Sequence, residues 1–81
     1  MPKKKMRDDK NICGPRMKKR RVELGLTQGQ LAARMELLGV MWDQKIISRV
    51  ELQMRAIFDF ELLAVTKALE ISADELMGVD E

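Results

Sequence analysis

Gln44, Lys45, Ser48 and Arg49 stand within two helical turns of one another and offer amide, ammonium, hydroxyl and guanidinium groups with no carboxylate among them. At helical spacing they share one side of the segment Gln44 to about Leu52, while Ile47 and Val50 fall on the other side with Glu51 beside them. Such a face donates hydrogen bonds and carries positive charge, which suits base edges and phosphates rather than proton transfer. A DNA major groove is wide enough to admit one helix built in this way. The surrounding half of the chain is otherwise acidic, so acids have been kept off this one surface.

Catalysis has little to draw on. The chain has no histidine, and Cys13, its only cysteine, has neither an imidazole partner nor a second thiol for a disulfide. The usual zinc frameworks are excluded on the same count, and no glycine loop resembles a phosphate cradle. Glu61, Glu70, Asp74 and Glu75 can be drawn as carboxylate pairs, but they fall at helix starts or on outer faces, where acids serve capping and the helix dipole. The expectation is no enzyme, no metal and no cofactor, and no small-molecule ligand is evident.

The donor face needs a scaffold, and the periodicity predicts a compact all-α bundle of five short helices. Residues 1–11 are polar without an apolar period and are expected to form a disordered basic tail, leaving 12–81 as one domain. Pro15 sits just inside a first helix, Pro15 to Leu24, and Gly25 supplies its left-handed stop. Met17, Arg21 and Leu24 share a face there, so a charge interrupts an apolar stripe and needs a partner. Thr27 and Gln30 have capping-box spacing for a second helix, Gln28 to about Leu38, which buries Leu31, Ala32 and Met35 and ends at Gly39. Gly29 in its first turn costs up to about 1 kcal/mol relative to alanine, which implies a tolerant position or a close approach. Val40-Met41-Trp42 is an apolar connector to Asp43, the cap of the third helix. Asp59 is expected to cap a fourth, Phe60 to Leu69, with Leu62, Val65, Thr66 and Leu69 inward. Ser72 and Glu75 form a second capping box, opening a short last helix that ends near Met77-Gly78.

The 81 residues suffice for one modest core. The net charge of +2 conceals a division: residues 1–21 carry ten Lys or Arg against Asp8 and Asp9, a net of +8, whereas the other sixty carry five bases and eleven acids, a net of −6. The basic end is either a solubilising tail with a solvated helix face or a contact for a polyanion. No apolar run reaches a membrane span of about 18 residues, and the lysine-rich start lacks the apolar stretch of a signal peptide. A cytoplasmic, nucleoid-associated protein is expected.

Leu26-Thr27-Gln28, Leu31-Ala32, Ile47-Ser48-Arg49-Val50-Glu51, Glu61-Leu62-Leu63, Ala68-Leu69 and Ser72-Ala73-Asp74-Glu75-Leu76, in this order, resemble the lambda-repressor-like helix-turn-helix family, also called the XRE family. The likeness runs from about Gly14 to Met77, and Arg16 to Leu26 is similar to the first helix of lambdoid phage repressors. The resemblance implies that the third helix enters the major groove, with Gln44, Lys45 and Arg49, and more weakly Ser48, addressing bases. It implies that Gln28 contacts a phosphate and braces Gln44, that Arg55, Arg16, Lys18 and Lys19 are further phosphate contacts, and that Arg21 pairs with Glu51. The chain departs from the family in a longer second helix and exit, in Leu52-Gln53 where Asn-Gly is common, and in Ile46 at a position often small or polar.

The sequence thus points to a DNA-binding transcriptional regulator of bacterial or phage type, expected to act as a repressor and to be complete without a sensor domain. Double-stranded DNA is the expected partner, with a homodimer on two half-sites implied by the resemblance and Trp42, Met54, Phe58, Met77 and Val79 as apolar candidates for its face. The rival reading is a protein-interaction module, such as an antitoxin or a sequestering partner of another regulator, for which seven methionines would supply an adaptable surface.

Overall fold

The computed structural model of the protein describes residues 9–79, with helices α1 (Gly14–Glu23), α2 (Gln28–Leu37), α3 (Gln44–Glu51), α4 (Asp59–Ala68) and α5 (Ala73–Met77) and no strand among the described residues. Residues 1–8 of the expected tail lie outside the described residues. α3 packs against both α1 and α2, α4 against α2 and α5, and α5 returns to α1. Met17, Leu31, Met35, Ile47, Val50, Val65, Leu69 and Leu76 are fully buried where these helices meet. Each such side chain stabilises the fold by about 1.5–3 kcal/mol relative to exposure. No helix has a core of its own, so α3 is held only when the others are in place.

The local signals act as their chemistry requires. Thr27 Oγ1 accepts from Gln30 N at 3.0 Å while Gln30 Oε1 accepts from Thr27 N at 2.8 Å, closing the capping box of α2. Asp43 accepts from Ile46 N at 2.8 Å and opens α3, and Ser72 accepts from Glu75 N at 3.1 Å to open α5. After α1 and α2 the chain turns left-handed at Gly25 (φ 72°) and Gly39 (φ 87°), with Leu26 N and Val40 N folding back onto the Arg21 and Met35 carbonyls. α3 and α4 end in the same shape without glycine, at Gln53 (φ 63°) and Glu70 (φ 53°). Gln53 is tied down as its amide donates to the Asn11 carbonyl at 3.0 Å.

Three expectations need correction. Asp59 does not cap α4 but is its first residue; the cap position is Phe58, whose N–H is taken by the Glu61 carboxylate at 2.9 Å. Of the expected inner face of α4, Val65 and Leu69 are buried while Leu62 and Thr66 are only half-buried, and Ala64, Ala68 and Glu61 take up the remaining interior. Asn11, expected in a disordered tail, is fixed: its Oδ1 accepts from Cys13 N (3.0 Å) and Gly14 N (2.7 Å), and its Nδ2 donates to the Val50 and Arg55 carbonyls. Cys13, the residue at the N-cap position, makes no side-chain cap bond, so Asn11 caps α1 from two residues upstream.

Candidate functional site

α3 carries Ile47 and Val50 at zero exposure on its inner side, and this fixes which of its residues face outward. Gln44, Lys45 and Arg49 are exposed and Ser48 is half-buried. Neither the Lys45 nor the Arg49 side chain has an ion-pair or hydrogen-bond partner among the described residues. Gln28, at the start of α2, joins Gln44, Lys45 and Ser48 around one shallow open depression, so two helix starts contribute to a single surface. Asp43 is the acid nearest to it in the chain, and one of its oxygens is occupied by the Ile46 N–H.

The only acid within α3, Glu51, is turned inward. Arg21 Nε donates to its Oε2 at 2.7 Å and Arg21 Nη2 to its Oε1 at 3.1 Å, while Arg21 Nη1 reaches the Leu26 carbonyl at 2.8 Å. The pair is almost completely removed from water, with side-chain exposures of 11% and 3%. A third donor comes from α2, where Gln28 Nε2 meets Glu51 Oε1 at 3.1 Å. Gln28 is therefore bonded to Glu51, not to Gln44, and its bond links α1, α2 and α3 at one point. The charge that interrupts the apolar stripe of α1 is thereby accounted for: it neutralises the single carboxylate of α3 and locks its C-terminal turn.

Gly14 explains how α1 comes so close to α3. A Cβ at this position would clash with the carbonyl oxygens of Val50 and Glu51, at 2.8 Å from the latter. Gly29, by contrast, has room: an added Cβ would meet only Thr27 Oγ1, at 3.8 Å. Of the two explanations for Gly29, close approach within the chain is thus excluded.

Arg55 is engaged elsewhere. Its Nη1 and Nη2 donate to the two oxygens of Glu61 at 3.0 and 3.1 Å, Nη1 also meets the Ala56 carbonyl, and the guanidinium lies over the Trp42 ring at 5.3 Å. Trp42 Nε1 donates to Glu61 as well, at 3.0 Å. Burial pushes the Glu61 carboxyl up, but Arg55, the Phe58 N–H and the Trp42 N–H outweigh it and hold the group below its ordinary range. This cluster pins the connector before α3 to the start of α4. It ties Arg55 into the frame, and it corrects one expectation, since Trp42, at 4% exposure, cannot form a dimer face.

Arg16 and Lys19 line a groove between α1 and α5 with Arg20, Glu23, Asp74 and Glu75, and the Arg16 guanidinium lies against Gly78. They are not brought to the α3 surface, whereas Lys18 is simply exposed. Arg20 and Arg34, which sequence reasoning gave no role, converge on the end of α4: Arg20 donates to the Leu69 and Glu70 carbonyls and Arg34 to that of Ala68. Cations at a helix C-terminus complement its dipole. Basic residues in α1 and α2 that are complementary to a helix end would have been one signal for them.

Comparison of the chain with models of protein families, with characterised protein sequences and with solved structures finds no match in any of the three.

Proposed function

We propose that the protein is a sequence-specific double-stranded DNA-binding transcriptional regulator of the lambda-repressor-like helix-turn-helix type, acting as a repressor by occupying an operator. The observation that carries the reading is the division of α3: two cations without a partner among the described residues and an amide outward, fully buried aliphatics inward, and its one carboxylate neutralised by Arg21. In this reading Gln44 pairs with adenine and Lys45 or Arg49 with guanine, each good contact contributing about 1–3 kcal/mol of discrimination, with Ser48 beside them. The Gln28 amide has a second N–H beyond the one given to Glu51, and the first N–H groups of α2 have no helical partner. Both suit a phosphate. Arg55 acts on the frame rather than on the nucleic acid, and Lys18 remains a solvated candidate for the backbone.

The setting that fits is the cytoplasm of a bacterium, on the nucleoid, whether the protein is of bacterial or phage type; no described helix is long and apolar enough to cross a membrane. The reading is tested by mobility shift at low salt. Wild type should shift duplex DNA, Lys45→Ala with Arg49→Ala should abolish the shift, and affinity should fall steeply with salt, by a slope of about 0.9 per phosphate neutralised. A wild type that shifts no DNA at low salt would overturn it. The protein-interaction reading is favoured by exposed Leu37 and Met41, at 88% and 72% exposure. It predicts apolar association that rising salt leaves intact.

A further inference from the structure

The outer side of α4 has no cover within the described residues. Phe60 and Leu63, three residues apart and therefore on one face, are 61% and 58% exposed, and Phe58 stacks on Phe60 with ring centroids 6.1 Å apart. One acidic and one basic residue border this strip. Asp59 lies four positions before Leu63 and Lys67 four positions after it; both are exposed, and neither pairs with another described residue.

That arrangement is antisymmetric about Leu63. A two-fold axis through Leu63, perpendicular to the helix, sets each residue before it against the residue equally far behind it in a second copy. Asp59 then meets Lys67 of the second copy twice over, at sites about 12 Å apart along the helix from a rise of about 1.5 Å per residue. Leu63 meets Leu63 on the axis, and Phe60 lies over the methyl group of Thr66. A partner of unrelated sequence would have no reason to match a charge pattern that is its own complement. We infer that the exposed face of α4 is a self-complementary surface, Asp59-Phe60-Leu63-Lys67, on which two copies of this chain pair antiparallel as an isologous dimer. The inference stands apart from DNA binding and is tested without nucleic acid.

The experiment is equilibrium sedimentation of the full chain from low micromolar to near-millimolar concentration. Wild type should show a monomer–dimer equilibrium. Asp59→Lys and Lys67→Asp should each raise the dissociation constant about tenfold or more, because each turns two attractive pairs into two repulsive ones. Combining them should restore dimerisation, since the pairs are then attractive again with signs exchanged. The exchange places each charge at the end of α4 that the helix dipole disfavours, so recovery cannot arise from a better helix. Leu63→Gln should weaken the dimer with the helical circular dichroism retained, as expected at an exposed site. A wild type that stays monomeric throughout the range, a dimer indifferent to the single reversals, or a double variant no better than the singles overturns the inference.

Discussion

Replacing Arg21 by methionine puts the joint between α1 and α3 under test. The substitution keeps a long unbranched side chain against the core but removes both guanidinium bonds to Glu51 and the bond to the Leu26 carbonyl. Glu51, with 3% side-chain exposure, is left with the single Gln28 amide as donor. Stranding one partner of a buried pair costs about 3–5 kcal/mol. A chain of this length has only about 4–12 kcal/mol of total stability at ~0.05–0.15 kcal/mol per residue. The melting temperature should therefore fall by about 12–40 °C, at roughly 4–8 °C per kcal/mol. Removing both partners leaves no buried charge, only the part-buried Gln28 amide and Leu26 carbonyl without their bonds, so Arg21→Met combined with Glu51→Leu should recover most of the loss. Thermal and urea unfolding followed by circular dichroism reads all three variants. If Arg21→Met unfolds within about 1 kcal/mol of wild type, or if the double variant is no more stable than the single, the reasoning fails.

Acid should act through Glu61. A carboxyl held below its ordinary range when folded contributes stability that is present above its unfolded pKa, about 4.3, and is lost as pH falls through the lower folded value. Fluorescence of Trp42, the chain's single tryptophan, should report that loss directly. Glu61→Gln should flatten the acid limb, and superimposable limbs would contradict the assignment. The two glycines should respond oppositely: Gly14→Ala should destabilise by about 1–3 kcal/mol from its clash with α3, and Gly29→Ala should stabilise by about 0.5–1 kcal/mol. Equal effects in denaturant titrations would refute the distinction drawn between them. Asn11→Ala removes the cap of α1 and the donor to two carbonyls, and should cost about 1–3 kcal/mol in the same assay. A loss within about 0.3 kcal/mol of zero would show that the segment before α1 is unimportant to the fold.

How much of this was legible in the sequence depends on the range of the interaction. Local devices were readable because cap and helix are adjacent in the chain: Thr27 with Gln30, Asp43 before Ile46, and the stops at Gly25 and Gly39. The outward donors of α3 were readable for a related reason, since Ile47 and Val50 at helical spacing decide which side is buried. What was not readable rests on long-range partners. Arg55 and Lys18 look alike as exposed bases, and only the fold places Glu61 and Trp42 beside one of them. Asn11 belongs to a polar stretch without period, and its role appears only when α3 supplies the Val50 carbonyl. Asp59 resembled a cap more than Phe58 did, yet the helix already begins at Asp59, and the Glu61 carboxylate reaches back to the Phe58 N–H. Gln53 and Glu70 show the same limit, for helices stop there in the left-handed conformation without the residue that usually signals it.

In the function proposed above, α3 reads DNA sequence through Gln44, Lys45 and Arg49. Selection of bound duplexes from a random-sequence pool, carried out in parallel with wild type and Arg49→Ala, tests it most directly. Wild type should enrich one short motif, and the variant, equally folded, should lose preference at particular base positions within it. Wild type enriching nothing, or both proteins enriching the same motif with the same base preferences, would contradict it.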